Sequence, residues 1–228
     1  FETAVSEKDR RLRLLMEHVF EQMNKSSNTV KSFAWLARAV IAQRVAIWSL
    51  HRAEQDAIQQ TPLGRAPGRL GAPDIDVVSI NGGGNKLDTF LQMSTSFYQR
   101  CFLARDRSAL TVNIRLENSA PTSGLSSYVS PRNDIDLPNP EIQGTSKSLV
   151  FVHLPKNSQL RSSLVNGEPV GPYAIGTDSG RTVLRFDRVI PGGKKSEIRL
   201  RVNLSSDVKR KRLQFGTQPK LLPVRSMS

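Results

Sequence analysis

The sequence is poor in the residues that most often announce an activity. Its one cysteine, Cys101, excludes an intrachain disulfide framework and any zinc site built on several thiolates. Three histidines, His18, His51 and His153, fall in different parts of the chain, and no two stand at metal-ligand spacing. No serine occupies a nucleophile-elbow setting, so acyl-transfer chemistry has no motif here. Aromatic residues make up only 6%, and neither an RNA-recognition signature nor a helix-turn-helix pattern is present. No apolar run reaches the roughly 18 residues that a membrane-spanning helix needs.

What the chain has in excess is positive charge. Lys and Arg number 33 against 20 Asp and Glu, a net charge of +13 in 228 residues. That balance predicts anionic surroundings: nucleic acid, lipid head groups or a phosphate-bearing polymer. With 38% hydrophobic residues the chain can still bury a core.

Hydrophobic periodicity divides the chain. Residues 1–60 are expected to be helical. Leu12, Leu15, Met16, Val19, Phe20 and Met23 form one amphipathic stripe, and Phe33, Leu36, Ala37, Val40 and Ile41 form a second. Residues 44–48 have a β-like pattern, and a short helix follows over about 52–60. A Gly/Pro-rich linker or loop spans 61–73. The rest, 74–228, reads as a mainly antiparallel β domain. In 110–117 and 197–204 apolar and polar residues alternate without a fault, as in strands with one wet face. Asn166-Gly167, Asp178-Ser179-Gly180 and Pro191-Gly192-Gly193 mark turns at the spacing of a β-sandwich. The polar segment 119–148 is too long for an ordinary connection, and is expected to be functional or mobile. The fold class expected is therefore α+β, with N-terminal helices packed on an antiparallel sheet or sandwich. Cys101, beside Tyr98, Phe102 and Leu103, is expected to be buried and unreactive.

Two kinds of site present themselves. Asn81, Gly82, Gly83, Gly84, Asn85 and Lys86 resemble a phosphate cradle, because glycines let successive backbone N–H groups converge and Lys86 adds charge. The loop lacks the Gly-Lys-Ser/Thr ending of a P-loop and leads towards a strand, so a glycine-rich connection whose asparagines bond the local backbone competes with that reading. The second site is a basic sheet face made of Arg181, Arg185, Arg199 and Arg201, which share one surface if their strands are neighbours. A basic run, Lys209-Arg210-Lys211-Arg212, follows. The triplets at Asp74–Asp76 and Asp134–Asp136, the latter with Asn133 and Asn139, could offer oxygens to Ca²⁺, but a polar turn is the favoured reading and no metal or cofactor is expected.

Several short segments together resemble one known family. They are Ala46-Ile47-Trp48-Ser49 followed by Glu54-Gln55, then 77–86, 112–121, 151–155 and Gln218-Pro219. The family is a bacterial, mostly actinobacterial, cell-envelope group catalogued as domain of unknown function 4012, and the likeness runs from about Val40 to the end. It implies an extracytoplasmic domain, anchored to the membrane by a segment outside this chain, with a non-catalytic role in assembling or attaching surface polymers. The partner expected is an anionic envelope polymer or a lipid surface. The resemblance supplies no catalytic residue. Two other readings stand beside it: an enzyme acting on phosphate-linked envelope glycopolymers, with the glycine loop as phosphate site, and a non-specific nucleic-acid-binding module resting on charge alone.

Overall fold

The computed structural model describes residues 45–61, 63–64, 74–102, 107–132, 134, 143–205, 213, 215–217 and 226–227, and within 10–40 residues 10–11, 13–18, 21–22, 25, 34–35 and 37–40. The fold is α+β and rich in sheet. Helical residues occur within 10–25 and 34–40, followed by a helix at Arg52–Ile58 (α1). Among them Ala39 is buried, whereas α1 contributes no buried residue.

Residues 45–48, the described part of the stretch expected to be β-like, are in no strand. Ile47 N–H donates to Leu63 O (3.0 Å), and the following Ser49 turns to the start of α1. Ser49 N–H donates to Gln55 Oε1 (2.8 Å), Ser49 Oγ donates to Glu54 Oε2 (2.6 Å), and His51 N–H donates to Ser49 Oγ (3.1 Å). A serine that caps its neighbours in this way gives the backbone an alternative to a ladder.

The β domain consists of β1 (Ile75–Asn81), β2 (Leu91–Phe102), β3 (Arg107–Asn118), β4 (Ser146–His153), β5 (Gln159–Val165), β6 (Glu168–Pro169), β7 (Ala174–Asp178), β8 (Arg181–Ile190), β9 (Lys195–Leu204), β10 (Phe215–Thr217) and β11 (Ser226–Met227). They form two sheets. Sheet A runs β10-β1-β4-β8-β7 and sheet B runs β11-β2-β3-β9-β5-β6. All pairings are antiparallel except the short β1–β10 and β2–β11 ladders.

Alternation decides which side of each strand is dry. Leu110, Val112, Ile114 and Leu116 of β3 and Ile198, Leu200 and Val202 of β9 meet Val150 and Val152 of β4 and Leu184 and Phe186 of β8 in one buried cluster. The two sheets are thus the two halves of a sandwich around a shared core, in which each such side chain contributes about 1.5–3 kcal/mol. Phe97 of β2 and Phe215 of β10 stack at 4.3 Å, joining the sheets at one side.

The expected turns form, and two of them are two-residue hairpin loops. Asn166 and Gly167 have φ of 53° and 92°, and Ser179 and Gly180 have φ of 50° and 73°. Paired positive φ values of this kind match the twist of the flanking strands. The third turn, Pro191-Gly192-Gly193, does something else: it carries the chain from sheet A to sheet B.

Candidate functional site

The crossing at Pro191–Gly193 corrects the expectation of a single four-arginine face. β8 belongs to sheet A and β9 to sheet B, so Arg181 and Arg185 cannot share an outer surface with Arg199 and Arg201.

Arg181 is not a surface residue at all. It is 5% exposed, and its guanidinium donates to three backbone carbonyls: Leu154 (3.1 Å), Asp74 (2.7 Å) and His153 (3.1 Å). Burial lowers its pKa, opposed by the nearby Asp76, Asp74 and Asp178. It ties the start of β1, the end of β4 and the start of β8 together. Arg185 stays on sheet A, where Nε and one terminal nitrogen donate to Asp187 (2.7 Å each) and its guanidinium lies 4.7 Å from the Tyr173 ring centre. The Asp187 hydrogen bonds raise its pKa, and the same pairing cancels its charge.

The glycine loop resolves toward local backbone bonding. Asn81 Oδ1 accepts from Gly83 N–H (2.9 Å) and Gly84 N–H (3.0 Å), while Asn81 Nδ2 donates to Asn85 O (2.7 Å). Lys86 N–H donates to Val129 O (3.0 Å). Asn85 is buried, and its amide donates to Thr145 O (3.1 Å) and Ser130 O (3.4 Å). An anion here would have to displace the Asn81 carboxamide from the two glycine amides. Lys86 Nζ lies 5.7 Å from the Tyr128 ring centre. Gly83 serves packing: a Cβ there would come within 3.0 Å of Arg132 Cγ. Arg132 in turn holds Asp134 by two 2.8 Å bonds, and Lys147 Nζ reaches the same carboxylate at 2.8 Å. Arg132, ahead of Lys147 and against the effect of burial, holds the Asp134 carboxyl well below the usual carboxylate range. The second Asp-Ile-Asp triplet thus has its first carboxylate engaged by cations. Among the described residues no group of three His, Cys, Asp or Glu side chains could hold a metal ion.

Arg199 and Arg201 remain, and they lie on the outer face of sheet B. Burial alternates strictly along β9, with Ile198, Leu200 and Val202 inside and both arginines exposed. Register places Arg199 beside Asn113 of β3, which faces Ser96 of β2. Arg199 Nε donates to Asn113 Oδ1 (3.0 Å), and Asn113 Nδ2 donates to Ser96 Oγ (3.2 Å), a relay that orients the guanidinium. Arg201 lies in the next outward row with Thr111 and the exposed Tyr98. Among the described residues neither arginine has a carboxylate partner. A depression of about 190 Å³ opens beside Arg199, lined also by Ser94, Ser96, Asn113, Arg115 and Glu197. Arg115 is neutralised there, bonded through Nε to Glu117 Oε1 (2.7 Å) and 3.7 Å from Glu197 Oε1. The face therefore has a balanced end at Arg115 and a cationic end at Arg199 and Arg201.

Two features escaped the sequence reading. The Ser96–Asn113 relay depends on register, which alternation alone does not give. Arg188 is more instructive. It shares the inward parity of Leu184, Phe186 and Ile190, and its Nε crosses between the sheets to Ser196 Oγ (2.9 Å). Burial lowers its pKa. A charged residue in phase with a strand's apolar set was the available signal. The run 209–212 and the side chain of Cys101 lie outside the described residues.

Comparison with known proteins adds little. No family model matches this chain, and no curated protein is similar to it. A solved structure from Legionella pneumophila, provisionally described as a nutrient binding protein, is similar at 8% identity over 57% of this chain and 43% of that one, with a TM-score of 0.31. The chain thus spans less than half of that structure, and so low a likeness carries no argument about fold or ligand.

Proposed function

We propose that this chain is a non-catalytic binding domain that holds an anionic polymer against the outer face of sheet B. The observation that supports this is the placement of Arg199 and Arg201 two residues apart on one strand, both exposed, with no carboxylate partner among the described residues, and with Arg199 already oriented by Asn113. Residues i and i+2 of a strand project on the same side about 6.6–6.8 Å apart, so successive acidic groups of an extended chain can meet successive guanidiniums. Arginine suits such groups because its planar fork gives two hydrogen bonds to one phosphate or carboxylate and keeps its charge. The family resemblance supplies the setting proposed here: outside the cytoplasm, tethered to the membrane by another segment, with an envelope polymer as partner. Among the described residues no helix is long and apolar enough to cross a membrane.

Long-chain polyphosphate is a suitable probe. Binding should fall steeply as salt rises, and Arg199→Gln/Arg201→Gln should weaken it while the melting temperature holds. Salt-independent binding, or unchanged affinity in the double variant, would remove this face from the mechanism. Fractionation of the full-length protein into the soluble cytosol would overturn the proposed setting.

A further inference from the structure

The outer face of sheet B is laid out in rows, because residues opposed across the ladders share a level. Register makes Tyr98, Thr111 and Arg201 one row, Ser96, Asn113 and Arg199 the next, and Ser94, Arg115 and Glu197 the third. The first two rows carry the guanidiniums that have no carboxylate partner among the described residues. The third row is balanced. Arg115 and Glu197 there, with Glu117 and Lys195 in the row beyond, set two cations against two carboxylates. The depression of about 190 Å³ lies between the second and third rows. Thr95, Ile114 and Ile198 turn their side chains to the core, so its floor is sheet backbone. Its walls keep hydrogen-bonding capacity. Glu197 approaches Arg115 (3.7 Å) and Lys195 (3.9 Å) through Oε1, which leaves Oε2 to accept. Ser96 Oγ accepts from Asn113 and still has its own proton to donate. The Ser94 hydroxyl makes no hydrogen bond among the described residues.

We infer that the polymer held on this face is an acidic glycan, one sugar unit of which seats in the depression. Its carboxylate or phosphate meets Arg199, and its hydroxyls bond Glu197 Oε2, Ser94 and Ser96. This rests on the binding face proposed above and adds the class of its ligand. Glu197 carries the distinction. A carboxylate accepts from a sugar hydroxyl in a charge-assisted bond, about twice as strong as one between neutral groups. Against a polymer charged at every unit, such as polyphosphate or a nucleic acid, the same carboxylate repels the segment that runs past Arg199 along β9. The neighbouring unit of a glycan lies over the first row. There its acid meets Arg201, and the exposed Tyr98 ring presents a flat apolar surface to the C–H face of a sugar.

The test is calorimetry of the full chain, at one salt concentration, with polymers matched in charge that differ in having sugar units. Oligogalacturonate is compared with polyglutamate for carboxylates, and phosphomannan with polyphosphate for phosphates. In at least one pair the sugar-bearing member is expected to bind about tenfold tighter, the worth of one or two hydrogen bonds. The pair with the larger ratio identifies the acid. Ser94→Phe fills the depression with a residue that suits a strand and leaves the charge alone. It should bring the ratio to unity while the melting temperature and polyphosphate binding stay as in the wild type. Glu197→Gln should tighten polyphosphate binding and reduce the preference for sugar. Ratios near unity in both pairs, or a ratio unchanged by either variant, would overturn the inference and leave the basic face standing. Binding of every polymer that ignores Arg199→Gln/Arg201→Gln would instead overturn the reading on which it rests.

Discussion

Two side chains show how charge is used inside this basic protein to hold segments that are distant in sequence. Arg181 bonds carbonyls beside β1 and at the end of β4, both on the same side of its own strand, the farthest 107 residues away. Replacing it by methionine keeps much of the volume but leaves the buried Leu154 carbonyl and two part-buried ones without their donor, and should destabilise the domain by about 2–4 kcal/mol in chemical denaturation. A loss below half a kcal/mol would mean that water satisfies those carbonyls. Asp134 works nearer the surface, between Arg132 and Lys147. Its folded pKa is depressed, so its contribution is complete above the ordinary aspartate value of about 3.9 and is lost as pH falls below it. Asp134→Asn should therefore cost about 1–2 kcal/mol at neutral pH, and the gap to wild type should narrow steadily below about pH 4. A gap that is independent of pH would assign the effect to packing instead.

At the scale of elements, the described parts of 119–148 are tied down at more points than their composition suggests. That composition led to the expectation of a weakly held loop. The described parts are anchored at several buried points. Asn118 Nδ2 donates to Gly144 O (2.7 Å) and Ile190 O (2.8 Å), and Gly144 N–H donates to Ser130 Oγ (3.2 Å). Hydrogen exchange should show the amides of Lys86, Ser130 and Gly144 protected well above those of an exposed turn, and exchange at turn rates would contradict this account. Gly144 is the sharpest point of that anchorage. It has a φ of +80°, and a Cβ would fall 2.2 Å from Pro121 O. Gly144→Ala should cost several kcal/mol by thermal or chemical unfolding, whereas Gly176→Ala, with open space around it, should cost less than about 1 kcal/mol. The strands themselves were legible because alternation over 110–117 and 197–204 is a purely local signal. The pairing of strands was not. Whether β9 neighbours β8 or β3 depends on where one glycine turn sends the chain, and a Pro-Gly-Gly sequence serves a hairpin and a sheet crossing equally well. That ambiguity is why Arg199 and Arg201 were found as an outward pair, while Arg181 and Arg185 were assigned to the wrong surface. The glycine loop follows the competing expectation, asparagines bonding the local backbone, but only the fold shows that it is Asn81 that takes the amides of Gly83 and Gly84.

At the scale of the molecule, the described residues carry their excess charge unevenly. On sheet A, Arg185 is cancelled by Asp187, and Arg132 and Lys147 share Asp134. On sheet B, Arg115 is cancelled by Glu117 and Glu197, and the uncompensated guanidiniums on β9 are Arg199 and Arg201. An exposed charge acts over only about 8 Å at physiological salt, so such contacts add to useful affinity only when several act together on one polymer. The most direct measurement of the central claim is the slope of log affinity for polyphosphate against log salt, in three proteins. These are the wild type, Arg199→Gln/Arg201→Gln on sheet B, and the charge-neutral pair Arg185→Gln/Asp187→Asn on sheet A. The account predicts that the sheet B variant binds more weakly at every salt concentration with a slope shallower by about 2, while the sheet A variant follows the wild type. Equal slopes in all three, or the larger change on sheet A, would contradict it.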